Sequence, residues 1–159
     1  ITSKCKDDLK GTINTFIAKT INEAIRIGHG NLIAVVDDSD EVISVIKQKF
    51  PDCIYLDTPI DFQEFIHNCE IEKSNDSSVN LISHSKILIS MLNHDGITIL
   101  TNTGKIIGYH MFIPNIEGDI DVIGGARTRA FQSMINSQKF SSCLYKSQDG
   151  KSKYWKNDK

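Results

Sequence analysis

The chain has 159 residues, 40% of them hydrophobic, and its 18 Lys+Arg against 20 Asp+Glu leave a formal net charge of −2. This balance fits a folded globular chain and excludes disorder by composition. It also speaks against a nucleic-acid binder, which would usually be basic, and no apolar run reaches the roughly 18 residues of a membrane span.

The length predicts one domain over 1–159 with a core of useful size. The chain opens at Ile1 rather than at a methionine, as a piece of a longer protein would. Cys5, Cys53, Cys69 and Cys143 form no CxxC pair and match no zinc module. Scattered among apolar neighbours, they read as buried free thiols in a reducing, cytoplasmic setting. His29, His67, His84, His94 and His110 show no HxxxH or HExxH spacing, which argues against a structural metal.

In chain order, apolar residues at helical spacing (Leu9, Ile13, Phe16, Ile17, Ile21, Ala24, Ile25) predict a helix over 8–27 closed by Gly28. His29-Gly30 then turns into a buried strand over 31–36. Asp38 with Glu41 reads as a capping box for a short helix that Pro51 stops. Residues 53–56 read as a strand, and Thr58-Pro59 as the start of a helix burying Phe62, Phe65 and Ile66. Residues 70–80 are polar and read as an exposed loop. Leu81, Ile82, Ile87, Leu88, Met91 and Leu92 predict a buried helix over 81–92.

Residues 97–101 and 105–113 read as a hairpin around Asn102-Thr103-Gly104, closed by Pro114. An acidic loop with Glu117, Asp119 and Asp121 feeds Gly124. A helix over 127–136 follows, with Ala130, Phe131, Met134 and Ile135 inward. Residues 142–145 and 151–155 pair as a last hairpin around Gln148-Asp149-Gly150. The order of elements predicts an α/β or α+β fold, one mixed sheet covered by helices.

Two motifs carry chemistry. Gly124-Gly125-Ala126-Arg127-Thr128-Arg129 runs two glycines into a helix start. Glycines allow close backbone approach, a helix N-terminus favours an anion, and two guanidinium forks match phosphate oxygens. The same residues also suit a strand-to-helix turn with solvated arginines. Upstream lies Asn93-His94-Asp95-Gly96-Ile97, which by itself suits an ordinary turn as well as a carboxylate site.

Taken together, these residues resemble the diadenylate cyclase domain family. Its hallmarks are Asp-Gly-Ala, a hairpin ending in proline, and Gly-Thr-Arg-His-Arg-Ala opening a helix. The resemblance covers 80–155 well and 9–36 loosely; 37–72 carries little of it and reads as a diverged or inserted segment. It implies a mixed, twisted α/β sheet flanked by helices. The implied reaction joins two ATP into cyclic di-AMP, each 3′-hydroxyl attacking the other α-phosphate as pyrophosphate leaves, with Mg²⁺ or Mn²⁺.

On this resemblance Asp95 is the catalytic carboxylate and metal ligand, and Gly96 lets ribose or base pack on the backbone. Gly124, Gly125, Arg127, Thr128 and Arg129 hold the phosphates. Ser147, with Gln148 and Asp149, falls where the family shows Ser-Glu-Glu, although a plain hairpin turn fits it slightly better. One ATP per domain implies a homodimer, at least transient.

Four positions depart from the family pattern. Thr128 replaces a histidine, Ala126 a threonine, Ile97 an alanine and Gln148 an acid. They bear on turnover more than on binding, because exact placement matters most to the reaction. The alternative is therefore a sensor that binds ATP or a cyclic dinucleotide without turnover and signals to a fused or partner module. A plain interaction domain using the fold alone is a third reading.

Overall fold

The computed structural model describes residues 7–28, 30–113 and 124–157. Cys5, His29, Pro114 and the acidic stretch with Glu117, Asp119 and Asp121 lie outside the described residues.

The fold is α/β. Among the described residues, a mixed sheet of six strands has the order β2-β4-β3-β1-β5-β6. The strands are β1 (Asn31–Val36), β2 (Ile54–Asp61), β3 (Ile97–Thr101), β4 (Lys105–Met111), β5 (Ser142–Lys146) and β6 (Ser152–Lys156). Only β1 and β3 run parallel; each other neighbouring pair is antiparallel. β1 is buried along its whole length, which is why residues 32–36 are apolar throughout rather than alternating.

Helices cover both faces. Leu32, Ala34 and Val36 of β1 face a core closed by α2 (Asp40–Lys49) and α5 (Ala126–Ser137) through Ile46, Phe50, Phe131 and Met134. Ile33 faces the opposite core, built with α1 (Lys10–Ile27), α3 (Phe62–Glu72) and α4 (Asn75–Leu92). There Ile13, Ile17, Phe62, Ile66 and Leu88 are almost wholly buried. Successive β1 residues thus serve opposite cores, as a period of two requires.

Three expectations need correction. The cap of α2 is Ser39, whose hydroxyl accepts from the Val42 N–H. Asp38 instead accepts from Thr103 Oγ1 at 2.6 Å and pairs with Lys105 Nζ at 2.9 Å, which ties the end of β1 to the β3–β4 turn. Thr58-Pro59 does not open a helix: both lie in β2, an edge strand with a register shift between Tyr55 and Ile60, where a missing N–H is tolerated. The helix begins three residues later, capped by Asp61 accepting from Gln63 and Glu64.

Residues 70–80 are not a loop. α3 runs to Glu72, Lys73 closes it in the left-handed region, and Ser74 caps α4 by accepting from Ser77. On α4, Leu88 and Leu92 are buried, whereas Ile82 and Ile87 are 50% and 41% exposed. The middle segment therefore supplies one edge strand and two covering helices to the same sheet.

Two thiols are deeply placed. Burial pushes Cys53, whose Sγ donates to the Tyr109 carbonyl at 3.3 Å, up to about 11, and burial pushes Cys143 up to about 12. Lys105 is also raised, first by its bond to Asp38. A folded value above the unfolded one gives stability that is complete below the unfolded pKa and lost as pH rises through the folded one. Stability should therefore hold through neutral pH and fall from about pH 9 upward. Denaturant midpoints across that range check it, and Cys53→Ala with Cys143→Ala should make the decline shallower.

Candidate functional site

Sheet topology gathers four strand ends at one edge. β1 and β3 are parallel and start together, Leu32 opposite Ile97, so Gly30 and Asp95-Gly96 stand side by side just before them. β4 returns with Met111 opposite Ile97, bringing Phe112 and Ile113 to the same edge. β5 ends with Lys146 opposite Asn31, so Ser147 follows there too. α5 starts beside them, with Gly125 as an N-cap that offers no side chain.

Two adjoining clefts occupy this edge. One, of about 290 Å³, is mainly apolar, with Leu32, Met111, Phe112 and Ile113 facing Asp95, Arg127 and Arg129. The other, of about 410 Å³, is polar, with Gly125, Thr128, Ser147, Gln148 and Asp149 around the same Asp95 and Arg127. Asp95 Oδ1 and Arg127 Nη2 stand 4.0 Å apart where the clefts meet. The Asp95 side chain is 72% exposed, so it is open to a ligand.

Asp95, Gly96, Gly125, Arg127, Thr128, Arg129 and Ser147 thus line one or both clefts, although not all in the expected roles; Gly124 lines neither, and Arg129 only the apolar one. Arg129 Nη1 donates to the Gly124 carbonyl at 2.7 Å, so this guanidinium reaches a ligand with part of its donor set. Thr128 Oγ1 lies 3.2 Å from the Tyr145 hydroxyl. Ser147 Oγ accepts from the Lys151 N–H at 2.9 Å, the hairpin-turn role, and still lines the polar cleft. A Cβ on Gly125 would meet nothing within 4 Å, so this backbone stands open to a ligand at a helix start, where N–H groups favour an anion. A Cβ on Gly124 would press on Thr128 Cγ2 at 2.9 Å.

Gly96 has a structural reason to be glycine. Its φ is +97°, and a Cβ would sit 2.9 Å from the His110 Cα and 3.1 Å from the Met111 carbonyl oxygen. The close approach it permits is to β4, in addition to its place on the apolar cleft. Gly96→Ala should cost stability, about 1–3 kcal/mol from backbone strain alone, before any effect on a ligand. Chemical denaturation checks this; an unchanged midpoint would mean the turn is looser than described.

Sequence reasoning missed Gly30 as part of the site. Its φ is +128°, and a Cβ there would come within 2.9 Å of the Lys146 carbonyl and 3.3 Å of Arg127 Nη1. Gly30 is the seat on which the Arg127 side chain lies. The glycine was visible in the chain, but nothing local linked it to an arginine so distant in sequence.

The donor set suits an ion that arrives with a nucleotide. Among the described residues no group of three or more His, Cys, Asp or Glu side chains could hold an ion unaided. Mg²⁺ commonly takes one or two carboxylates and completes its shell with phosphate oxygens and water. Asp95, with Asp149 on the polar cleft, fits that pattern.

No known family model matches the chain, and no curated protein matches it either. The geometry of this edge and the motif resemblance therefore carry the functional reading. Among the described residues no helix is long and apolar enough to cross a membrane.

Proposed function

We propose that this chain binds ATP across the two clefts and that two copies, meeting face to face, condense two ATP into cyclic di-AMP and pyrophosphate. The carrying observation is the Asp95–Arg127 pair, 4.0 Å apart, standing where an apolar cleft meets a polar one at the start of α5. The apolar cleft suits a flat base and ribose. The polar cleft suits a triphosphate, held by Arg127 and the helix start; Arg129 lines the adjoining apolar cleft.

Asp95 would stand near the attacking 3′-hydroxyl, orienting it and accepting its proton. Mg²⁺ or Mn²⁺, held by Asp95 and the phosphates, would supply Lewis-acid stabilisation of the charge that builds on the α-phosphate. Arg127 and Arg129 oppose the same charge from the protein side. Each chain carries one such edge, so ring closure calls for a second copy. A cytoplasmic setting is part of the proposal, supported by the free thiols Cys53, Cys69 and Cys143.

A specific observation favours a second reading, a nucleotide sensor without turnover. Arg129 already bonds the Gly124 carbonyl, and the Thr128 hydroxyl already has Tyr145 as a partner, which leaves fewer groups to tighten on a transition state. Such a sensor would pass its signal to a fused or partner module.

Incubation with ATP and Mn²⁺ or Mg²⁺ at high protein concentration, read by mass spectrometry for cyclic di-AMP, separates the two. Product supports the cyclase. No product, with a thermal shift on adding ATP or cyclic di-AMP, supports the sensor; ligand at 100 times its Kd adds about 2.7 kcal/mol. Neither product nor shift removes both.

A further inference from the structure

We propose that His110 is a positioning residue for the Asp95–Gly96 turn, acting through the Asp95 carbonyl oxygen. Among the described residues three that are not glycine have positive φ: Lys73, His110 and Gln138. Lys73 and Gln138 close α3 and α5, a common place for the left-handed conformation. His110, with φ +58°, lies inside a strand, where the conformation is costly for a residue with a Cβ.

The register shows how it gets there. Ile97 pairs with Met111 and Ile99 with Gly108, so β4 carries one more residue than β3 between these pairs. A bulge of this kind re-aims a side chain. Here it turns the imidazole onto the turn that precedes β3: His110 Nδ1 lies 2.8 Å from the Asp95 carbonyl oxygen. The same bulge puts the His110 Cα against the face of Gly96 that has no side chain.

His94 Nδ1 approaches the same oxygen at 3.2 Å, and the two rings meet edge to face with centroids 4.7 Å apart. A carbonyl has two lone pairs and can accept both. Glycine at 110 would reach this φ without strain; what it would lack is the ring and its bond. The Asp95–Gly96 peptide is thereby held from β4, and the direction of the Asp95 carboxylate toward Arg127 with it.

The kinetic half of the test rests on the cyclase reading; the spectroscopic half does not. His110→Gly keeps the backbone conformation and removes the donor. His110→Asn tolerates the same φ and returns an N–H donor at the δ position. In the parent, imidazole ¹⁵N shifts at neutral pH should show the proton on Nδ1 of His110. Backbone order parameters at Asp95 and Gly96 should fall in His110→Gly and recover in His110→Asn, with no loss of melting temperature in either.

If the parent makes cyclic di-AMP, His110→Gly should lower kcat by about tenfold with KM unchanged, since a placement error acts on the chemical step. The asparagine variant should restore kcat. A ring protonated on Nε2 alone, or order parameters unchanged in His110→Gly, overturns the proposal whether or not the parent turns over. An inactive parent with the expected spectra removes the cyclase and leaves the positioning role in place.

Discussion

If the proposed cyclase reading holds, Asp95→Asn should abolish cyclic di-AMP formation, a loss of about 10³-fold or more, because it would remove both the proton acceptor and the charge that would hold the ion. ATP affinity should stay within a few-fold of the parent. The structure gives the reason for this split. The Asp95 side chain is 72% exposed and its partner Arg127 is 4.0 Å away, so no buried pair is broken and the fold loses little. The amide keeps the shape of the carboxylate, and Arg127 loses a competing anion, which compensates for the weakened ion site. Single-turnover product analysis beside calorimetric ATP titration measures both halves. Full turnover in the variant would remove Asp95 from the chemistry and move the search to Asp149, the other described carboxylate on the polar cleft.

Arg127→Ala should have the larger effect on binding. A charged hydrogen bond contributes about 1.5–3 kcal/mol, which is roughly a 10- to 100-fold loss of ATP affinity. Arg127 lines both clefts, so its loss is felt by the whole ligand. Arg129→Ala should cost less, because Arg129 Nη1 already donates to Gly124. Gly30→Ala is a less clean probe of the same contact: its Cβ would press on Arg127 Nη1 at 3.3 Å without removing any charge, but at φ +128° it would also meet the Lys146 carbonyl oxygen at 2.9 Å, so a loss of stability accompanies any loss of affinity. Calorimetry on the three variants should therefore rank Arg127→Ala weakest, with Gly30→Ala also impaired. Parent-like ATP binding in Arg127→Ala would place the phosphates elsewhere.

Much of the fold was legible because strong periodicity marks buried elements. Ile13, Ile17 and Ala24 announced α1, and the apolar run over 32–36 announced the central strand. The errors have a common cause, polar residues whose role is to end and begin elements. Ser74 read as loop material and Asp61 as part of a helix already begun, yet each satisfies the first N–H groups of a helix. Pro59 read as a helix start because proline suits that position, but it equally suits an edge strand, and only the sheet order decides between them.

At the site, the residue types of Asp95, Arg127 and Arg129 were legible from their motifs, and their convergence was expected only through the resemblance. The contributions of Gly30 and His110 were hidden. Both depend on contacts across the sheet, Gly30 with Arg127 and His110 with Asp95, and no local pattern encodes such a pair.

Two of the helices that reach this edge, α4 and α5, do so with opposite ends. α4 finishes at Leu92, just before Asp95, with no basic residue in its last turn; α5 begins at Ala126, with no acidic residue in its first. Asn31 Nδ2 and Thr98 Oγ1 bond the carbonyls of Leu92 and Met91, fixing where α4 stops. Each helix end carries roughly half an elementary charge, negative at the end of α4 and positive at the start of α5. The edge therefore has a built-in field that runs from the arginines toward the carboxylate. A ligand with an anionic tail and a counterion would be turned in that field before it touches a side chain, so the order of its parts along the clefts follows from how the helices point.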